Sequence, residues 1–299
     1  MLLRGETIVA EILPDFGMSI VSLRDGSGRE RLWRRPDFTA PRRTRDIGPP
    51  GEPSIEAMFA LWPGGWFEMS PHAGMPGLLD GRETMLHGEA ARLPWEVVDA
   101  GPSHIEAEAD CVHEPLRLRR RVEAEGDELR LRSSVENRGG EPVEVCHGEH
   151  PVFARADHAG ARIELRARRA RVLAQAEPEA ASVLPGEFEW PNAPAVGGGT
   201  VDLSLVPEGP GAHDHVTIEL AEPLMRIVRR DGTELRIDAG DHRHALIWRY
   251  HQPPSEPEPR DIWALEPWSF GGVNISEAIG HTERVAPGAT VSYSSRIGV

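Results

Sequence analysis

The chain has 299 residues, enough for a large core, and its 39% hydrophobic and 27% charged content is that of a soluble globular protein. Its formal net charge is -15 and all 33 basic residues are arginine, so sequence-independent binding to nucleic acid or to an anionic membrane is not expected. The missing lysine excludes a Schiff-base aldolase, a pyridoxal enzyme and a P-loop nucleotidase, each of which needs a lysine amine at a fixed place.

From the N-terminus, MLLRGETIVAEILPDF is interrupted by Arg4, Glu6 and Glu11 and has no signal-peptide core. No apolar run is long enough to span a membrane, and Cys111 and Cys146 are too few for a disulfide framework. A cytoplasmic location is expected, and the Asn274-Ile275-Ser276 sequon is read as accidental. Thr7 to Leu13 and Ile20 to Leu23 are apolar and partly alternating, Asp25 to Gly28 is a turn signal, and Leu32-Trp33 resumes beyond it, which reads as a β-meander. Arg34 to Pro53 is expected to be a surface loop, and Ile55 to Leu61 a short helix capped by Ser54. Trp62 to Trp95 concentrates Gly, Pro, Trp and His without periodicity, as irregular loops that carry sites often do.

Residues 104 to 145 are the clearest strand region. Ile105, Ala107, Ala109 and Cys111 alternate, as do Leu116 and Leu118, then Leu129, Leu131, Ser133 and Val135, with turns at Glu125 to Asp127 and Asn137 to Gly140. Arg117, Arg119, Arg130 and Arg132 fall on the other, solvated face. One more strand is expected over Ile163 to Leu173, then long loops around short strands over 174 to 214. Val216, Ile218 and Leu220, a hairpin at Asp231-Gly232, Leu235 to Ile237, Ala245 to Trp248, Ile262 to Glu266 and Thr290 to Ile297 complete an antiparallel sandwich. With no internal repeat or linker, residues 1–299 are expected to form one large β domain with few short helices.

Two residues invite acid–base chemistry. In CHGEHPVF, period-two geometry puts Cys146, Gly148 and His150 on one face and His147 and Glu149 on the other; Pro151 cannot donate to a ladder, so His150 is expected at a strand tip. Glu266 shares a face with Ile262 and Ala264, where a carboxylate is costly, and precedes Pro267. His147 and His150 would not share a face, and His213-x-His215 and His242-x-His244 fall in apparent turns as exposed polar residues, so no metal is expected. There is no Gly-x-Ser-x-Gly elbow, and both cysteines sit in strand patterns as small hydrophobes do.

In order along the chain, SLRDGSGRERLW, LWPGG with Met85-Leu86-His87-Gly88, Asn137-Arg138-Gly139 followed by GEHPVF, His213-Asp214-His215-Val216, LEPWS and APGATVSYSSRI together resemble the aldose 1-epimerase (galactose mutarotase-like) superfamily. The resemblance spans nearly the whole chain and implies a large antiparallel β-sandwich that interconverts the anomers of an aldose without a cofactor, as a monomer or homodimer. It implies Glu266 as the base at the anomeric hydroxyl and His150 as the acid at the ring oxygen. It further implies His87 beside the ring oxygen or a neighbouring hydroxyl and Asp214 on a hydroxyl. Trp62, Trp66 and Trp268 are candidates for stacking on the sugar or for core packing. Where the family's orienting arginine is missing, His72 and Glu68 are expected to line the pocket instead. No arginine lies between Arg45 and Arg82, and Arg92 is one residue beyond its phosphosugar-type place, which weakens the case for a sugar phosphate. A non-catalytic carbohydrate-binding or sensing protein on the same scaffold is the alternative, and a metal-dependent sugar isomerase the third.

Overall fold

The alternating segments assemble into two large antiparallel sheets. The computed structural model describes residues 1–36, 38–39, 46–174, 178–209, 212–251, 261–273, 276 and 282–299. A ten-stranded sheet runs in spatial order Leu2–Arg4, Val9–Leu13, Ser19–Arg24, Trp66–Met69, Gly148–Ala154, Asp261–Trp268, His244–His251, His213–Leu220, Ala167–Val172 and Gly186–Phe188. An eight-stranded sheet runs Arg162–Glu164, Leu224–Val228, Glu234–Asp238, Thr290–Gly298, Glu128–Asn137, Leu116–Glu125, His104–Asp110 and Glu96–Ala100. Two short α-helices, Pro53–Leu61 and Arg155–His158, are described besides.

The period of two decides what lies between the sheets. Leu118, Val122, Leu129 and Leu131 point inward from the smaller sheet and meet Ile20, Val216, Ile218, Ile247 and Leu265 of the larger one. Each such side chain contributes roughly 1.5–3 kcal/mol by leaving water. The opposite surface of the ten-stranded sheet, its front face, is covered as well. There Phe67, Met69, Val152, Leu246 and Ile262 form a second cluster with Met58, Trp62, Leu79 and Leu86 from the segment before residue 95. The central strands are therefore buried on both sides.

That double burial explains several differences from the sequence pattern. Trp66–Met69 is a central strand inside the stretch expected to be loop; all four of its residues are buried, so no polar alternation marks it. Pro151 and Pro267 do not end their strands, which run on to Ala154 and Trp268. The expected strand from Ile163 to Leu173 divides, Arg162–Glu164 joining the smaller sheet and Ala167–Val172 the larger. Ser54 is not a cap: it is buried inside the first turn, where its hydroxyl donates to Gly51 O and accepts from Leu86 N at 2.8 Å. Most of the proline-rich segment 251–261 lies outside the described residues.

Candidate functional site

His150 and Glu266 meet in the middle of the front face. Gly148 pairs with Trp268 and Val152 with Ala264, a register that sets His150 across from Glu266. Between those paired positions lie Pro151 and Pro267, neither of which has an N–H to give. The ladder is thus open where the two side chains face each other, and His150 Nε2 stands 3.6 Å from Glu266 Oε1. Both residues are buried. The imidazole stacks on Phe67 with centroids 4.6 Å apart, and the Trp268 indole N–H donates to Glu266 Oε2 at 2.9 Å.

His87 approaches from the covering loop, its ring edge-on to His150 at 5.2 Å. Its φ of 57° is left-handed backbone, held by its own N–H donating to Gly74 O at 2.7 Å. Gly88 follows because a Cβ there would sit 2.3 Å from Ser70 O. Arg92 is buried. Its guanidinium donates to the carbonyls of Leu86, Gly88 and Ser54, the last two at 2.8 and 3.2 Å, and so clamps the loop that carries His87.

Burial sets the charge state of these groups. It pushes the Glu266 carboxyl well above the usual carboxylate range, against a weaker downward pull from the Trp268 hydrogen bond. It brings His150 down to about 3 and His215 to about 4, and holds His87 well below the ordinary histidine value. Burial thus disfavours the charged form of both partners, the Glu266 carboxylate and the His150 imidazolium.

The sequence reading missed several neighbours. His213 and His215 lie on strand His213–Leu220 and not in a turn, and Trp248 on the next strand has its ring 5.5 Å from that of His150. Trp248 donates to His213 Nε2 at 3.4 Å and stacks on Tyr250 at 5.5 Å. The signal was available: Leu246, Trp248 and Tyr250 alternate against the inward-facing Ala245 and Ile247. His242, also expected to be exposed, is buried, and its Nε2 lies 2.8 Å from His147 Nδ1.

The remaining predicted residues divide by face. Trp268 is on the front face beside Glu266; Trp62 is there too, packed on Phe67 at 6.2 Å and on Trp33 at 5.3 Å. His72 is buried at the margin with Nε2 3.2 Å from Glu144 O. Three others point away from His150. Asp214 alternates with Val216 and Ile218 toward the smaller sheet, where it accepts from Arg249 at 2.6 Å and from the Ser182 hydroxyl at 2.7 Å. Glu68 and Trp66 also lie between the sheets, Glu68 against Arg120 at 2.9 Å and the Trp66 indole against Glu149 at 2.6 Å. These three lie on the far side of the sheet from the acid–base pair, because strand residues separated by an odd number face opposite ways. Among the described residues no group of three or more His, Cys, Asp or Glu is placed to hold a metal ion. No described helix is long and apolar enough to cross a membrane.

No protein-family model matches the chain, and no curated protein is similar to it in sequence. Solved structures are similar over its whole length. A provisionally assigned aldose 1-epimerase from Escherichia coli superposes with a TM-score of 0.71 at 15% identity, covering 99% of this chain and 97% of that one. A galactose mutarotase-like protein from Clostridium acetobutylicum gives 0.68 at 13%, covering 99% and 93%, and a galactose mutarotase related enzyme from Lactobacillus acidophilus 0.66 at 15%, covering 100% and 96%. At such identities the likeness speaks to architecture and not to chemistry. The chain has the galactose mutarotase-like β-sandwich fold.

Proposed function

We propose that the protein is an aldose 1-epimerase, a mutarotase that opens and recloses the ring of a free aldose. The observation that carries this reading is the His150–Glu266 pair, 3.6 Å apart and buried on an aromatic-lined face. Binding alone needs no such pair. One group takes the proton of the anomeric hydroxyl while the other gives a proton to the ring oxygen; the ring carbon–oxygen bond breaks, the carbonyl end turns, and closure on its other face returns both protons. Burial favours the protonated carboxyl and the neutral imidazole, and transfer of one proton from Glu266 to His150 creates the base and acid that the sequence resemblance implies. Either arrangement keeps one acid and one base, so a single shared proton is the condition for turnover. His87 Nδ1 and His150 Nδ1 are buried and make no hydrogen bond among the described residues, which suits them to sugar hydroxyls. Trp268, Trp248 and Tyr250 offer apolar ring faces to the sugar.

Polarimetry tests the reading. Fresh α-glucose, α-galactose and other aldoses are followed with the protein and with Glu266→Gln. Acceleration that disappears in the variant supports a mutarotase; saturable binding without acceleration by the wild type would replace it with a sugar-binding protein.

A further inference from the structure

The register that places His150 over Phe67 also builds a charge cluster behind them. Strands Trp66–Met69 and Gly148–Ala154 pair His150 with Phe67 and Glu149 with Glu68. On the front face the first pair stacks at an interplanar angle of 22°. Between the sheets the second pair sets two carboxylates side by side, Glu68 0% and Glu149 1% exposed. Like charges directly opposite on a ladder repel.

Arg120 resolves the conflict from the other sheet. It falls in phase with Leu118 and Val122 on strand Leu116–Glu125 and is fully buried. Its Nη1 donates to Glu68 Oε2 at 2.9 Å and to Glu149 Oε1 at 2.8 Å, and its Nη2 to Glu149 Oε2 at 2.9 Å. Ser133 donates to Glu68 at 2.9 Å, the Trp66 indole to Glu149 at 2.6 Å, and His147 Nε2 lies 3.3 Å from Glu68 Oε1.

Backbone hydrogen bonds continue the same register on either side, Cys146 N–H to Pro71 O at 2.8 Å and Val152 N–H to Gly65 O at 3.0 Å, but within the paired stretch the side chains must specify it. Both faces of both strands are buried, so hydrophobic alternation does not say which residue belongs in front. The two strands share four paired positions, and at one of them Pro151 has no N–H. A slip by one residue would carry His150 to the back and Glu149 to the front. A planar five-donor fork meeting two carboxylates at fixed positions accepts one register and rejects its neighbours, the best-attested role of buried ion groups.

We propose that Arg120 is a positioning residue for the site: its fork on Glu149 and Glu68 fixes the register of strands Trp66–Met69 and Gly148–Ala154, and with it the Phe67–His150 stack that orients the imidazole.

Its kinetic consequence rests on the proposed function; its structural consequence does not, and the test separates them. Arg120→Lys keeps the charge and loses the fork. The triple variant Arg120→Met, Glu68→Gln, Glu149→Gln removes the cluster without leaving a buried charge unpaired. In each, the His150 ring protons are followed by NMR, assigned by their loss in His150→Asn, because the Phe67 ring current shifts them upfield. Anomerisation kinetics are measured well below the unfolding temperature. The expected result is loss of the upfield shift together with a fall in kcat of about 100-fold and little change in KM. A cluster that only supported stability would lower the unfolding temperature and leave both readouts alone, and a folded variant that keeps the upfield shift overturns the proposal. Should the triple variant not fold, Arg120→Lys decides by the same shift; should the wild type not anomerise any sugar, the shift decides alone.

Discussion

The two faces of the ten-stranded sheet bury titratable groups under opposite rules. On the back, carboxylates meet arginine: Asp214 holds Arg249, and Glu68 and Glu149 share Arg120. Burial alone would raise the Glu68 carboxyl, but the Arg120 charge and His147 outweigh it and draw it below the usual carboxylate range. On the front, Glu266 has an indole N–H and an imidazole for partners, and burial wins. A carboxyl locked as an anion by a fork is a structural part. One whose charged form burial disfavours, set beside an imidazole, is suited to exchanging a proton.

Acid should break the comparison most broadly. His72, His158 and His215 are brought to about 4 and His150 and His242 to about 3 by burial, and His87 is also held low. All are neutral in the fold, and in the unfolded chain they gain protons below roughly pH 6.5. Their contribution is thus intact above that pH and lost as pH falls toward 4, on the order of 1 kcal/mol per histidine between pH 6.5 and 5.5. Glu266, raised in the fold, acts in the reverse sense and is outnumbered. Thermal unfolding at pH 7.5 and 5.5 measures this; an unchanged Tm would refute the neutral histidines.

Removal of the movable proton comes next. Glu266→Gln and His150→Asn should each lower turnover by about 10²–10⁴-fold at nearly wild-type Tm. Wild-type rates in Glu266→Gln would end its role as an acid–base group. On the back face the signs exchange. Asp214→Ala leaves Arg249 buried without its counter-charge and should cost about 3–5 kcal/mol of stability, read by denaturant unfolding. The residual folded protein should keep its KM; a raised KM at unchanged stability would return Asp214 to the sugar. The smallest effect is expected from Trp268→Phe, which removes one donor from Glu266. The carboxyl then rises further, and the alkaline limb of the pH–rate profile should move up by about one unit.

These contrasts also show how far the sequence could be read. His150 and Glu266 were legible because each is a titratable residue in an apolar strand just before a proline, and the prolines turned out to open the ladder between them instead of ending the strands. Asp214 was decided by its motif, although its alternation with Val216 and Ile218 already pointed it inward. Glu68 and Trp66 were illegible for a different reason. In Trp66–Met69 every residue is buried, and no polarity pattern distinguishes the face of Phe67 from that of Glu68. Arg120 could be recognised as inward from its phase with Leu118 and Val122, but its partners belong to another sheet, and such pairings leave no trace in local spacing.

The cluster around Arg120 also constrains the order of assembly. Glu68, Arg120 and Glu149 are distant in the chain, and the two carboxylates oppose each other on strands that are neighbours in one sheet. Until the smaller sheet arrives with its guanidinium, the two carboxylates facing each other at the centre of the larger sheet have only water to screen their repulsion. The ladder between Trp66–Met69 and Gly148–Ala154 is expected to become fixed only as the sheets dock. Refolding should then show strand formation in the 104–137 region ahead of the Phe67–His150 stack, with slow kinetics suited to such non-local pairing. A Phe67–His150 stack completed in that final step would be absent from partly folded forms of the chain.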